Sequence, residues 1–163
     1  MWTFKNPSTV LARFAHDLCF EVRRFSLQVR EAEGGEFEVT LRADPLELQL
    51  LGSVATDGQL SPIKPRDQLE IERTARDTVL EARRYPEVVF RGEGSWEVLT
   101  GTLELHGAKQ ALTLRSERDG ERCAGQVEFA PSRFGIQPYR AFLGALKLDD
   151  RVRVSWDLRV ISA

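Results

Sequence analysis

Residues 132–148 read SRFGIQPYRAFLGALKL. Three turn-formers, Gly135, Pro138 and Gly144, share this stretch with four large apolar groups, Phe134, Tyr139, Phe142 and Leu143. A surface connection ordinarily gains nothing from so much apolar area. The stretch therefore reads as a structured loop, closed over an interior by its own aromatic side chains. On its C-terminal side Val152, Val154, Trp156, Leu158 and Val160 alternate strictly with other residues, the pattern of a strand with one buried face. On its N-terminal side Val127 and Phe129 do the same.

The alternation extends outward over most of the chain. Leu18, Phe20 and Val22 hold one parity, and Phe25, Leu27 and Val29 hold the other. The phase flips at Arg23-Arg24, which predicts a β-bulge or a short break there. Phe37, Val39 and Leu41 follow a Gly34-Gly35 turn, and Leu46, Leu48 and Leu50 follow Asp44-Pro45. After a loop punctuated by Gly52, Asp57-Gly58, Pro62 and Pro65, one helix is expected over about 66–84. Ile71, Ala75, Thr78, Val79 and Ala82 give it an apolar face, and Glu72 falls among the polar residues of the rest. Tyr85-Pro86 ends it. Val88–Phe90, Trp96–Val98, Leu103–Leu105 and Leu112–Leu114 then resume the strands, with a hairpin at His106-Gly107.

Seven to nine strands around one inserted helix close most economically as an antiparallel up-and-down barrel, because closure removes exposed edges. The fold class is all-β, and a barrel of this kind has room for one slender ligand. At 163 residues with no linker, repeat or low-complexity segment, the chain reads as a single domain over 1–163.

Lys+Arg is 23 and Asp+Glu is 25, a balance that argues against a nucleic-acid partner. No run approaches the ~18 apolar residues of a membrane span, so no integral membrane segment is expected. The N-terminus MWTFKNPSTV lacks the features of a secretory signal, which points to the cytoplasm. Cys19 and Cys123 are then expected as two reduced, independent thiols.

Catalytic signatures are missing. No GxSxG, HxxxH, CxxC or phosphate-binding glycine loop occurs, so neither an enzyme, a cofactor nor a metal is expected. Asp149-Asp150 reads as a solvated turn. Phe20, Phe37, Phe90, Trp96, Phe129 and Trp156 lie on strands, where the same residue types build either core or cavity wall.

Four stretches, in order, resemble the motifs of the YceI-like family of lipocalin-like barrels. Ala15-His16-Asp17-Leu18 is similar to its "GHDL" variant, and 84–90, RYPEVVF, to its helix-ending stretch. Residues 101–107, GTLELHG, and 134–147, FGIQPYRAFLGALK, match the remaining two. Ala15 stands where the variant has glycine, and no secretion signal of the kind many members carry precedes the motifs.

The resemblance implies a lipocalin-like barrel that binds a long apolar lipid, a polyisoprenoid, without catalysis. Its expected wall is Phe20, Val22, Phe37, Phe90, Trp96, Phe129, Phe134, Tyr139, Phe142, Leu143 and Trp156, and His16 and His106 become candidate head-group contacts. The competing expectation is a structural or stress-response interaction module whose barrel is filled by its own side chains. A homodimer is compatible with either.

Overall fold

The structure, a computed structural model, describes residues 1–9, 16–55, 57–141, 143 and 145–159. The described residues form twelve strands. They are β1 (Trp2–Lys5), β2 (Asp17–Val22), β3 (Phe25–Glu31), β4 (Phe37–Ala43), β5 (Leu48–Val54), β6 (Leu60–Ser61), β7 (Val88–Gly94), β8 (Val98–Leu105), β9 (Ala108–Asp119), β10 (Arg122–Phe129), β11 (Arg140–Ala141) and β12 (Leu146–Arg159). Nine correspond to alternating segments of the sequence. The other three, β1, β6 and β11, have four, two and two residues, too few for alternation to register.

Eleven strands make one antiparallel sheet in the order β3-β4-β7-β8-β9-β10-β12-β1-β2-β5-β6, and β11 pairs with β12 off this path. The sheet curls into a half-barrel instead of closing completely. The phase flip at Arg23-Arg24 is a break, and it has a topological purpose. β2 pairs with β5 and β3 with β4, so this break and the Asp44–Glu47 segment turn one long hairpin through a corner. The ladder continues there: the Arg23 N–H donates to Glu47 O at 3.1 Å, and the Asp44 N–H to Arg24 O at 3.0 Å. On the far side β9 makes the matching bend. Its first residues pair with β8, and Ser116–Asp119 pair with β10.

The helix is shorter than expected. α1 runs Pro65–Arg73 and widens into a π turn over Thr74–Val79, where the Leu80 N–H reaches back to Ala75 O. It stops at Glu81, in left-handed conformation (φ 43°), five residues before Pro86. The stop lets Ala82 bury completely, which a continuing regular helix would not require. Thr78 is exposed, and Thr74 takes its place beside Ile71, Ala75 and Val79.

Glu72 is the larger surprise, since it is buried. β6 covers only Ser53 and Val54, leaving the edge of β5 bare at Leu50. There α1 supplies side chains in place of a strand. The Leu50 N–H donates to Glu72 Oε1 at 2.9 Å, and Gln68 Nε2 donates to Leu50 O at 3.1 Å. Arg76, one turn further, donates to Leu46 O at 3.2 Å. Gln68, Glu72 and Arg76 are four residues apart, so they form one stripe along the helix.

Two apolar clusters flank the interior. Phe20, Leu48 and Leu50 make one, against Ile71 and Ala75; Phe90, Leu103, Leu105, Phe134 and Ile136 make the other. Leu80, at the helix end, packs against both.

Candidate functional site

Between the two halves of the curled sheet lies a cavity of about 1370 Å³. Strand parity makes its wall apolar. Leu18, Phe20 and Val22 face it from β2, Phe25, Leu27 and Val29 from β3, and Val152, Val154, Trp156 and Leu158 from β12. Ile71, Ala75 and Val79 close it on the helix side.

The space stays open because large rings lie along the wall instead of crossing it. Gly125 stands opposite Trp156 on the neighbouring strand, and a Cβ there would come within 2.6 Å of the indole. With that position empty, the indole lies over the backbone of β10 and its Nε1 donates to Ser116 Oγ on β9 at 3.2 Å. Gly92 does the same for Phe90, whose ring would meet a Cβ at 2.7 Å. Gly101, opposite Gly92, likewise faces a neighbouring backbone too closely for any side chain. Leucine or valine at these inward positions would fill the interior. These glycines were readable in the strand segments, but only their register shows which face they occupy.

The expected wall residues separate into groups. Phe20, Val22, Phe90, Trp96, Phe129, Tyr139 and Trp156 border the cavity. Phe37 does not; it sits behind Trp96 with ring centroids 4.5 Å apart and holds that indole at one end of the space. Phe134 is fully buried and packs edge-to-face on Phe129, 5.5 Å between centroids. It is an anchor beneath the wall, because the helical turn Pro131–Phe134 directs it into the core before Gly135 (φ 77°) reverses the chain. Leu143, expected in the wall, stands in solvent. Its left-handed backbone (φ 54°) turns it away from the barrel. Phe142, Gly144 and Ala15 lie outside the described residues.

From the loop, Ile136, Gln137, Pro138 and Tyr139 border the cavity. The loop is fastened on both sides. Asp150 accepts from the Ser132 N–H at 3.0 Å and from Ser132 Oγ at 2.5 Å, so Asp150 is a clasp, and the acidic pair lies in β12 instead of a turn. Gln110 donates to Arg133 O at 2.9 Å.

The two histidines part company. His16 is at the rim of the cavity and is exposed. The carboxylate beside it in sequence, Asp17, accepts from the Lys5 N–H at 2.8 Å and ties β1 to β2. His106 does not reach the cavity. It takes a left-handed turn (φ 52°) between β8 and β9, packs on Tyr85 at 4.2 Å and holds Nε2 3.8 Å from the Glu81 carboxylate. The "YP" and "HG" motifs thus meet each other, where the helix ends.

Cys19 and Cys123 are buried free thiols on separate strands, and Cys123 borders the cavity. Burial pushes the Cys19 thiol above its ordinary pKa, with the nearby amino terminus pulling weakly the other way. Among the described residues no three His, Cys, Asp or Glu side chains converge as a metal site. No helix among them is long and apolar enough to cross a membrane.

Comparison with known proteins agrees with this architecture. Burkholderia cenocepacia BcnA superposes with a TM-score of 0.58 at 13% identity, over 96% of this chain and 92% of that one. A cysteine variant of the CJ YceI protein, solved with a monobromobimane guest, gives 0.60 at 12% identity over 87% and 83%. A second cysteine variant of that protein, made for nanotechnology applications, gives 0.61 at 12% identity over the same shares. At such identities the likeness concerns the fold. No curated protein sequence matches the chain. The model of the YceI-like domain matches residues 2–160, nearly the full length, and the chain belongs to that family.

Proposed function

We propose that this protein binds one long apolar lipid, of polyisoprenoid type, inside the curled sheet and performs no chemical step on it. The observation that carries this reading is the apolar space of about 1370 Å³, held open by rings lying on inward-facing glycines. It exceeds the ~300–1000 Å³ of ordinary small-molecule pockets, so it suits a chain better than a compact metabolite. Transfer of each CH₂ from water contributes about 0.8 kcal/mol, and a long chain needs little else to be retained. His16 and Tyr139 give the wall polar edges that would orient a head group. A reducing compartment suits its two free thiols.

The competing module with a self-filled barrel fits less well, because Phe90 and Trp156 lie against the wall and leave the middle free. Organic extraction of gently purified protein, with mass spectrometry of the extract, tests the proposal. One prenyl lipid per chain is expected. An empty extract, from protein that also fails to take up an added prenyl alcohol, would remove it.

A further inference from the structure

The two ends of the sheet are treated unequally. At β5 the bare edge is capped by Gln68 and Glu72. At β3 no strand pairs with the outer edge among the described residues. Proteins commonly blunt such an edge with proline, a bulge, a cover or charged side chains, which β3 carries only at Arg30 and Glu31. β3 reads FSLQVRE, has no proline, and keeps an unbroken register with β4 over all seven residues.

The direction of its backbone groups follows from two bonds. Asp44 N–H donates to Arg24 O, and Ala32 N–H donates to Glu36 O. Even-numbered residues from 24 to 32 therefore turn their peptide groups toward β4. The odd ones, Phe25, Leu27, Val29 and Glu31, turn theirs outward. Phe25, Leu27 and Val29 also border the cavity, yet Phe25 is 48% and Val29 36% exposed, so the wall is unfinished along this edge.

We infer that a second copy of this chain completes it, its β3 pairing antiparallel with β3 about a two-fold axis at Gln28. In that register Leu27 lies opposite the partner copy's Val29, Ser26 opposite its Arg30, and Phe25 opposite its Glu31. All seven residues pair, no like charges face each other, and about eight backbone hydrogen bonds form over a ladder of about 23 Å. A slip of two residues one way sets Arg24 against the partner copy's Arg30, which is unfavourable. The opposite slip leaves Phe25 without a strand partner. A two-fold interface must be self-complementary, and this strand satisfies that in one register. The two sheets become continuous, and each copy supplies Leu27 and Val29 to the rim of the other's cavity. The inference does not depend on what the cavity holds.

Light scattering on the full chain over a concentration series, with cysteine crosslinking, tests it. The wild type is expected at the mass of two chains. Val29→Pro removes an outward N–H without touching the β4 ladder, and is expected to give single chains with an unchanged circular dichroism spectrum. Gln28→Cys places two thiols across a pair with Cα atoms about 4.5 Å apart, within disulfide range, and is expected to crosslink on mild oxidation. Ser26→Cys puts them about 13 Å apart and is expected not to. If Val29→Pro fails to fold, the contrast between the two cysteine variants decides. A single-chain mass for the wild type at every concentration overturns the inference, including the case where those monomers sediment with phosphatidylcholine vesicles. So does a dimer in which Gln28→Cys crosslinks no better than Ser26→Cys.

Discussion

Glu72 on the helix accepts a hydrogen bond from the Leu50 backbone N–H at 2.9 Å, and this bond stands where the next strand of the sheet would. Arg76 balances the carboxylate at 3.5 Å, and Gln68 bonds both Glu72 and the Leu50 carbonyl. Removing the acceptor leaves a buried N–H without a partner, at a cost of ~1–3 kcal/mol. Glu72→Ala is therefore expected to lower the unfolding free energy obtained from urea titration by that amount. Glu72→Gln keeps an acceptor oxygen and should recover most of the loss. Equal losses in both variants would show that the charge, and not the bond, matters.

Gly125 governs the position of Trp156. Gly125→Val would drive the indole off β10 and into the cavity, and over-packing of this kind costs ~1–3 kcal/mol. Lipid recovered per folded chain is expected to fall sharply. The emission of Trp156 should shift as its bond to Ser116 is lost. Ser116→Ala separates the two effects: it unpairs the indole N–H but adds no volume, so stability should drop by ~1–2 kcal/mol while lipid content holds.

Strand content and the structured loop before β12 were legible because both write themselves into local sequence. Alternation names a strand without any tertiary information, as in Val152–Leu158. What stayed hidden depended on partners far away in the chain. Glu72 looked like a solvated residue because nothing near it reveals that β5 lacks a neighbour at Leu50. Asp150 looked like a turn residue because Ser132 is eighteen positions away. Phe134 and Phe20 are the same residue type, and the path of the backbone, a helical turn at one and a strand at the other, makes one an anchor and the other a wall. Leu143 was misplaced for a different reason: a left-handed residue reverses the facing that spacing implies.

The loop offers a direct comparison of anchor and wall. Phe134 is fully buried against Phe129, and truncation there should cost ~3–5 kcal/mol, as for other large core aromatics. Tyr139 borders the cavity and is only partly buried. Tyr139→Ala is expected to cost less stability and to reduce lipid retention instead. Melting temperature and lipid content measured on both variants distinguish the roles. Similar profiles for the two would mean that the loop acts as one packed unit.

Burial raises the pKa of the Cys19 thiol above its ordinary value. In the unfolded chain the same group ionises near its ordinary value, so between that value and the folded one the native state holds the extra proton. Stability contributed by this group is full below about pH 8.5 and is lost as pH rises through the folded pKa. The thiolate is the reactive form. Folded protein at pH 8 is therefore expected to react slowly with a thiol-specific disulfide reagent at Cys19, and rapidly once urea exposes it. The Cys123→Ser variant reports Cys19 alone. Rapid reaction of that variant under native conditions would show that β2 opens readily beside β1, and that this side of the cavity wall is less firmly packed than the burial of Cys19 implies.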